Sequence, residues 1–145
     1  MNSSAGMRRR QIRGAAVIAA ILAALLVWAG ARLAGAHLRV QPDGAAPMVV
    51  GPGIVAAFAA QAALLGWLSL AVLERLTPRH AAIAWGILAG IVLLVSFVPV
   101  LTVTASGGTR LALGLMHIAV AAVLVPPLLR TSSHATQSRM ATAPA

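Results

Sequence analysis

Residues 81–103, AAIAWGILAGIVLLVSFVPVLTV, contain no charged side chain. About twenty apolar residues in a helix cross the hydrocarbon core of a bilayer, where every backbone polar group must be satisfied within the segment or by a closed barrel. The run lacks the polar alternation of a barrel strand, so it predicts a membrane-spanning helix.

Three more runs have the same character. Residues 111–129 follow directly. Residues 54–73 come after an approach rich in breakers, with Asp43-Gly44, Pro47, Gly51, Pro52 and Gly53. Residues 14–36 form the first run, interrupted by Arg32 near its end. The expected fold is all-α, a membrane-embedded antiparallel four-helix bundle. A basic cytoplasmic segment, residues 1–13, precedes it, and a flexible Ser/Thr/Ala-rich tail, residues 131–145, follows it.

The composition agrees with that class. Of 145 residues, 60% are hydrophobic and 9% charged, and the mean hydropathy is +0.93. A net charge of +9 would point to nucleic acid in a soluble domain, but here the cations flank apolar runs and only two acids are present. The reading therefore expects a lipid bilayer as partner and no nucleic acid. With no cysteine, thiolate metal sites, disulfides and thiol redox chemistry are excluded. The all-arginine, alanine-rich usage suggests a GC-rich bacterial genome.

The arginines set the orientation. Arg8, Arg9, Arg10, Arg13, Arg75, Arg79, Arg130 and Arg139 fall on one side of four crossings, and Arg32, Arg39 and Arg110 on the other. The bias predicts cytoplasmic N- and C-termini in a bacterial inner membrane. The first seven of these are also the candidate contacts to lipid headgroups. Trp28 and Trp85 are expected as interfacial anchors, and Arg32 is expected to snorkel to headgroups or to meet Asp43. Ala34-Gly35-Ala36 also matches a signal-peptide cleavage pattern. Against that stand an apolar stretch longer than a signal core and Arg32 just before the site.

Small residues indicate packing faces. Gly86 and Gly90 form a G-x-x-x-G pair in the third span, suited to close helix approach within the chain or in a dimer. In the first span two alanine stripes compete, Ala15-Ala19-Ala23 and Ala16-Ala20-Ala24, and the second span offers Ala56/Ala60 and Ala59/Ala63. Between the second and third spans, Glu74 is expected to neutralise Arg75 or Arg79. Thr77-Pro78 is expected to start the third helix, as cap and first residue. Pro99 and Pro126-Pro127 are candidate bends.

The intramembrane polar residues are the candidate site: His117, Ser96 and Gln61. His117 lies seven residues inside the fourth span from Arg110, and Ser96 seven residues before Val103, which places the two at similar depth on antiparallel neighbours. A neutral histidine bonded to Ser96, Thr102 or a backbone carbonyl would tie two helices together. A protonatable or ligand-contacting group is the functional alternative. No buried carboxylate accompanies His117, which favours the structural role.

Several chemistries lack their residues. A bis-histidine haem needs two facing imidazoles, whereas His37 and His80 sit at span ends and His134 in the tail. A proton-coupled small multidrug exporter needs a membrane carboxylate in its first helix. His37 and Asp43 are too few for a metal site, and there is no phosphate-binding loop or nucleophile–base pair. The sequence reads as a non-enzymatic protein with no cofactor.

The runs Leu73-Glu74-Arg75-Leu76-Thr77-Pro78-Arg79 and Met116-His117-Ile118-Ala119-Val120-Ala121-Ala122, the latter leading to Pro126 and Arg130, resemble an uncharacterised actinobacterial family of small four-helix integral membrane proteins. The resemblance implies the same four-span architecture in a bacterial cell membrane. It carries over no reaction, ligand or site residue. The preferred function is a scaffold or small subunit of a membrane assembly, as a homo-oligomer or with another membrane protein. The alternative is a small transporter or lipophilic-ligand binder with a cavity near His117.

Overall fold

The computed structural model describes the backbone of residues 2–42, 44 and 46–141, and the side chains of residues 4, 6–42, 44 and 46–132. Four helices dominate: α1 (Asn2–Leu33), α2 (Pro52–Leu76), α3 (Ala81–Thr102) and α4 (Gly107–Ala141). All four contain a stretch long and apolar enough to cross a membrane. They pack as an antiparallel bundle. α1 packs most extensively on α4, then on α2, while α3 lies against α4 and α2 and across the diagonal from α1. Both described chain ends and the α2–α3 turn lie at one end of the bundle.

The opposite end carries a feature with no sequence signal. Three short strands, β1 (Arg39–Gln41), β2 (Met48–Val49) and β3 (Thr104–Ala105), form an antiparallel sheet in the order β2-β1-β3. Arg39 pairs with Val49 and Val40 with Met48 on one side of β1; Val40 pairs with Ala105 and Gln41 with Thr104 on the other. The ladder satisfies loop backbone that would otherwise be left unpaired where the long α1–α2 connection meets the short α3–α4 one. Two or three residues per strand are too few to show period-two alternation, so the sequence reads there as loop.

Helix ends differ from expectation in instructive ways. α1 stops at Leu33, short of Ala36, because Gly35 takes φ 83°. Ala36 N–H donates to the Ala31 carbonyl at 2.9 Å and Gly35 N–H to Arg32 at 3.1 Å, the paired bonds of a Schellman cap. The Ala34-Gly35-Ala36 run that matches a cleavage site thus forms the helix cap. Leu38 follows with φ 48°, rare for leucine. Its side chain is fully buried and its carbonyl accepts from Val50 N–H at 2.8 Å.

Thr77 ends α2 and does not begin α3: its hydroxyl and its N–H both bond the Leu73 carbonyl, and α3 starts at Ala81. α4 starts four residues before the expected Leu111, because Ser106 caps it. The Ser106 hydroxyl accepts from Thr109 N–H at 3.3 Å and meets the Thr109 hydroxyl at 2.9 Å. At its other end α4 stays helical through Pro126-Pro127 and on to Ala141, where a tail was expected from Thr131. Thr131 and Ser132 are buried, so the packed bundle extends at least a turn past the apolar run.

Two apolar clusters stack along the bundle. Towards the termini, Ala16, Val17, Ala20, Ala63, Leu70, Trp85, Leu124 and Leu128 form one; towards the sheet, Ala24, Leu38, Val50, Val55, Ala59, Ala112 and Met116 form the other. Of the competing alanine stripes, Ala16-Ala20-Ala24 and Ala59-Ala63 are the buried ones, while Ala15 and Ala19 face outward. Lipid tails are as apolar as leucine, so helix association rests on close van der Waals packing, which alanine permits.

Trp85 also departs from expectation. It is 2% exposed, not an interfacial anchor, and its indole N–H reaches the Gly66 carbonyl at 2.9 Å and the Ser69 hydroxyl at 3.1 Å. A Cβ on Gly66 would stand 3.4 Å from Leu124 and 3.8 Å from the Trp85 ring, so three helices converge on this glycine. Trp28 is half-buried and donates to the Val50 carbonyl at 2.9 Å, tying α1 to the strand connection.

Candidate functional site

The polar centre of the molecule lies at the termini end, among residues assigned from sequence to topology. Arg13 is 4% exposed. Its two terminal nitrogens bond the two carboxylate oxygens of Glu74 at 2.6 and 3.2 Å, a bidentate fork, and its Nε donates to the Thr131 hydroxyl at 3.0 Å. Arg9, one turn earlier on α1, pairs with the same Glu74 oxygen. The hydroxyl of Thr131 donates in turn to the Leu128 carbonyl at 2.9 Å. Glu74 therefore joins α2 to α1, and Arg13 joins both to α4. Arg75 and Arg79, its expected partners, are exposed, because Glu74 continues the buried Ala63-Leu70 face and they do not. Of the proposed headgroup arginines, Arg8, Arg10, Arg75, Arg79 and Arg130 are exposed, whereas Arg13 is not available to lipid. Arg139 and His134 have side chains outside the described residues, as does Asp43, the expected partner of Arg32. Arg32 bonds the Ala36 and His37 carbonyls at 3.3 and 3.4 Å.

At the sheet end the bundle opens. A cavity of about 490 Å³ lies between α2, α3 and α4 beneath the sheet. Val40, Pro42, Met48 and Val50 roof it; Ala59 and Val55 of α2, Val100 of α3, Met116 and Leu113 of α4 and Ala24 of α1 form its depth. Phe58 and Ala62 of α2 and Pro99 and Thr102 of α3 line it and are exposed, so its mouth lies between those two helices.

Of the three sequence-predicted polar residues, only His117 lines this cavity. Its Nδ1 stands 2.7 Å from the Leu113 carbonyl oxygen, one turn back on its own helix, and its ring tilts against Phe97 with centroids 5.9 Å apart. Ser96 is not its partner, since the Ser96 hydroxyl donates to the Leu93 carbonyl of its own helix at 2.6 Å. Gln61 is exposed on the outer side of α2 and does not line the cavity. The G-x-x-x-G pair also divides: a Cβ on Gly86 would make an ordinary contact with Leu129 at 3.7 Å, and one on Gly90 would meet nothing. Within this chain the pair brings no backbones together.

A bundle of four helices of membrane-spanning length and composition, with an apolar flank and an ionic seam at one end, defines a small multi-pass membrane protein. The chain belongs to a family of unknown function, DUF6069, whose model matches residues 4–134. No curated protein and no solved structure matches it.

Proposed function

We propose that the protein is a non-enzymatic membrane protein that holds a lipophilic molecule in the cleft between α2 and α3, taken up sideways from the bilayer. The single observation that carries this reading is the 490 Å³ cavity itself, of the size of small-ligand sites and lined by apolar side chains with His117 and Thr102 as its polar side chains. Bacterial inner-membrane residence with cytoplasmic termini belongs to the same proposal, supported by the eight-to-three arginine bias. The sheet would then roof the cleft on the outer face. A purely apolar diazirine photoprobe tests the reading in reconstituted protein. Labelling of Met116 and Val100 is expected in the wild type and is expected to vanish in Ala62→Trp, which plugs the mouth, while labelling of exposed Leu94 stays constant. Equal labelling of Met116 in both proteins would refute the cleft.

A second reading, a small subunit of a membrane assembly, is favoured by Gln61. Its amide faces outward near the middle of α2, with no hydrogen-bond partner among the described residues, a costly arrangement in hydrocarbon. An amide donates and accepts, so a neighbouring transmembrane helix would satisfy it. Co-purification in mild detergent is expected to yield a homo-oligomer or a reproducible partner that Gln61→Leu releases. A strict monomer without partner would exclude this reading.

A further inference from the structure

We infer that the cleft selects a lipophile headed by a hydrogen-bond donor, a hydroxyl on an apolar chain or ring system, over molecules headed by a carbonyl, ether or carboxylate; the inference rests on the cleft reading above. Among the described side chains that line the cavity, only His117 and Thr102 carry nitrogen or oxygen. A backbone carbonyl can only accept, so the 2.7 Å contact to Leu113 requires Nδ1 of His117 to carry the hydrogen. In the neutral ring Nε2 then holds a bare lone pair, and it has no hydrogen-bond partner among the described residues. Thr102 repeats the pattern: its hydroxyl hydrogen is committed to the Val98 carbonyl at 3.0 Å, leaving oxygen lone pairs at the mouth. The thioethers of Met48 and Met116 are also weak acceptors. Pro42 and Pro99 have no N–H to offer.

The side-chain lining thus presents acceptors and no free donor. A hydroxyl-headed guest supplies the missing hydrogen to Nε2. A ketone, ether or carboxylate would set lone pairs against lone pairs, and a carboxylate would also bring an uncompensated charge into apolar surroundings, since the arginines nearest the sequence of the cleft, Arg39 and Arg110, are exposed and do not line it.

Farnesol and farnesyl methyl ether share one chain and differ in the donor, which makes them the discriminating pair. Each competes against the apolar photoprobe for labelling of Met116 in reconstituted wild type, with concentrations expressed as mole fractions of lipid. Farnesol is expected to displace the probe at about five- to ten-fold lower mole fraction than the ether, the worth of one neutral hydrogen bond. His117→Phe is expected to bring the two curves together by weakening the alcohol alone. Equal displacement by alcohol and ether in the wild type overturns the inference and needs no variant to fold. Farnesol preference that survives His117→Phe overturns the role of Nε2. If Met116 labelling remains sensitive to Ala62→Trp while donor and ether tie, the cleft stands and only its donor selectivity fails. If labelling ignores Ala62→Trp, the cleft reading itself fails.

Discussion

At the end that holds the termini, α1, α2 and α4 meet on a bidentate Arg13–Glu74 pair backed by Thr131, and just inside it Trp85 fills the space between α2, α3 and α4. At the sheet end the same helices enclose a cavity, and the backbone is held by two- and three-residue strands and by Trp28. A charge-poor bundle thus divides its work between its two ends. Without a hydrophobic drive between helices in lipid, polar contacts specify one packing at the first end, while the second leaves open space between its helices.

The comparison is broken most directly at Glu74. Glu74→Gln leaves the buried Arg13 without its counter-charge and is expected to cost about 3–5 kcal/mol, read as a shift in the unfolding midpoint in mixed detergent. An unchanged midpoint would mean the seam contributes no specificity. Next in size is Trp85→Phe, which removes the N–H shared by Gly66 and Ser69 and puts a smaller ring in a buried site; the same titration should lose about 2–3 kcal/mol. Gly35→Ala forces a Cβ into the left-handed conformation at the sheet end, and a loss of about 1 kcal/mol is expected. Smallest is His117→Phe: its hydrogen bond lies within its own helix, so a change of about 0.6 kcal/mol or less is expected in stability, with the effect appearing in ligand preference. A large loss there would make His117 a structural tie and reverse the contrast between the two ends.

The four helices were legible because membrane spans are defined by length and absence of charge, and each run exceeds what a chance apolar stretch provides. The ionic seam was less visible for a physical reason. Flanking arginines set topology by position alone, so Arg13 reads as one member of a basic segment. The signal lay in the face it shares: the buried stripe Ala16-Ala20-Ala24, extended backwards by three and then four residues, passes through Arg13 and Arg9. Extending Ala63-Leu70 forward by four reaches Glu74, and extending Leu128 by three reaches Thr131. Following each packed face one turn beyond its apolar run would have joined the three.

The cleft had no such signal. His117 marks its depth, and its place inside the fourth span was readable. That α2 and α3 separate above the Trp85–Gly66 contact depends on the sizes of residues from four helices and the roof. Ser96 and Gln61 illustrate the limit: similar depth did not make Ser96 a partner, because its hydroxyl is satisfied by its own helix, and Gln61 lies on the wrong side of α2.

The most direct test is native mass spectrometry of the protein released from its own membrane in mild detergent. A small lipophile is expected to remain on the wild type, to be absent from Ala62→Trp and to be still present on Glu74→Gln molecules that remain folded. Wild type and Ala62→Trp carrying the same adducts, or none, would contradict this.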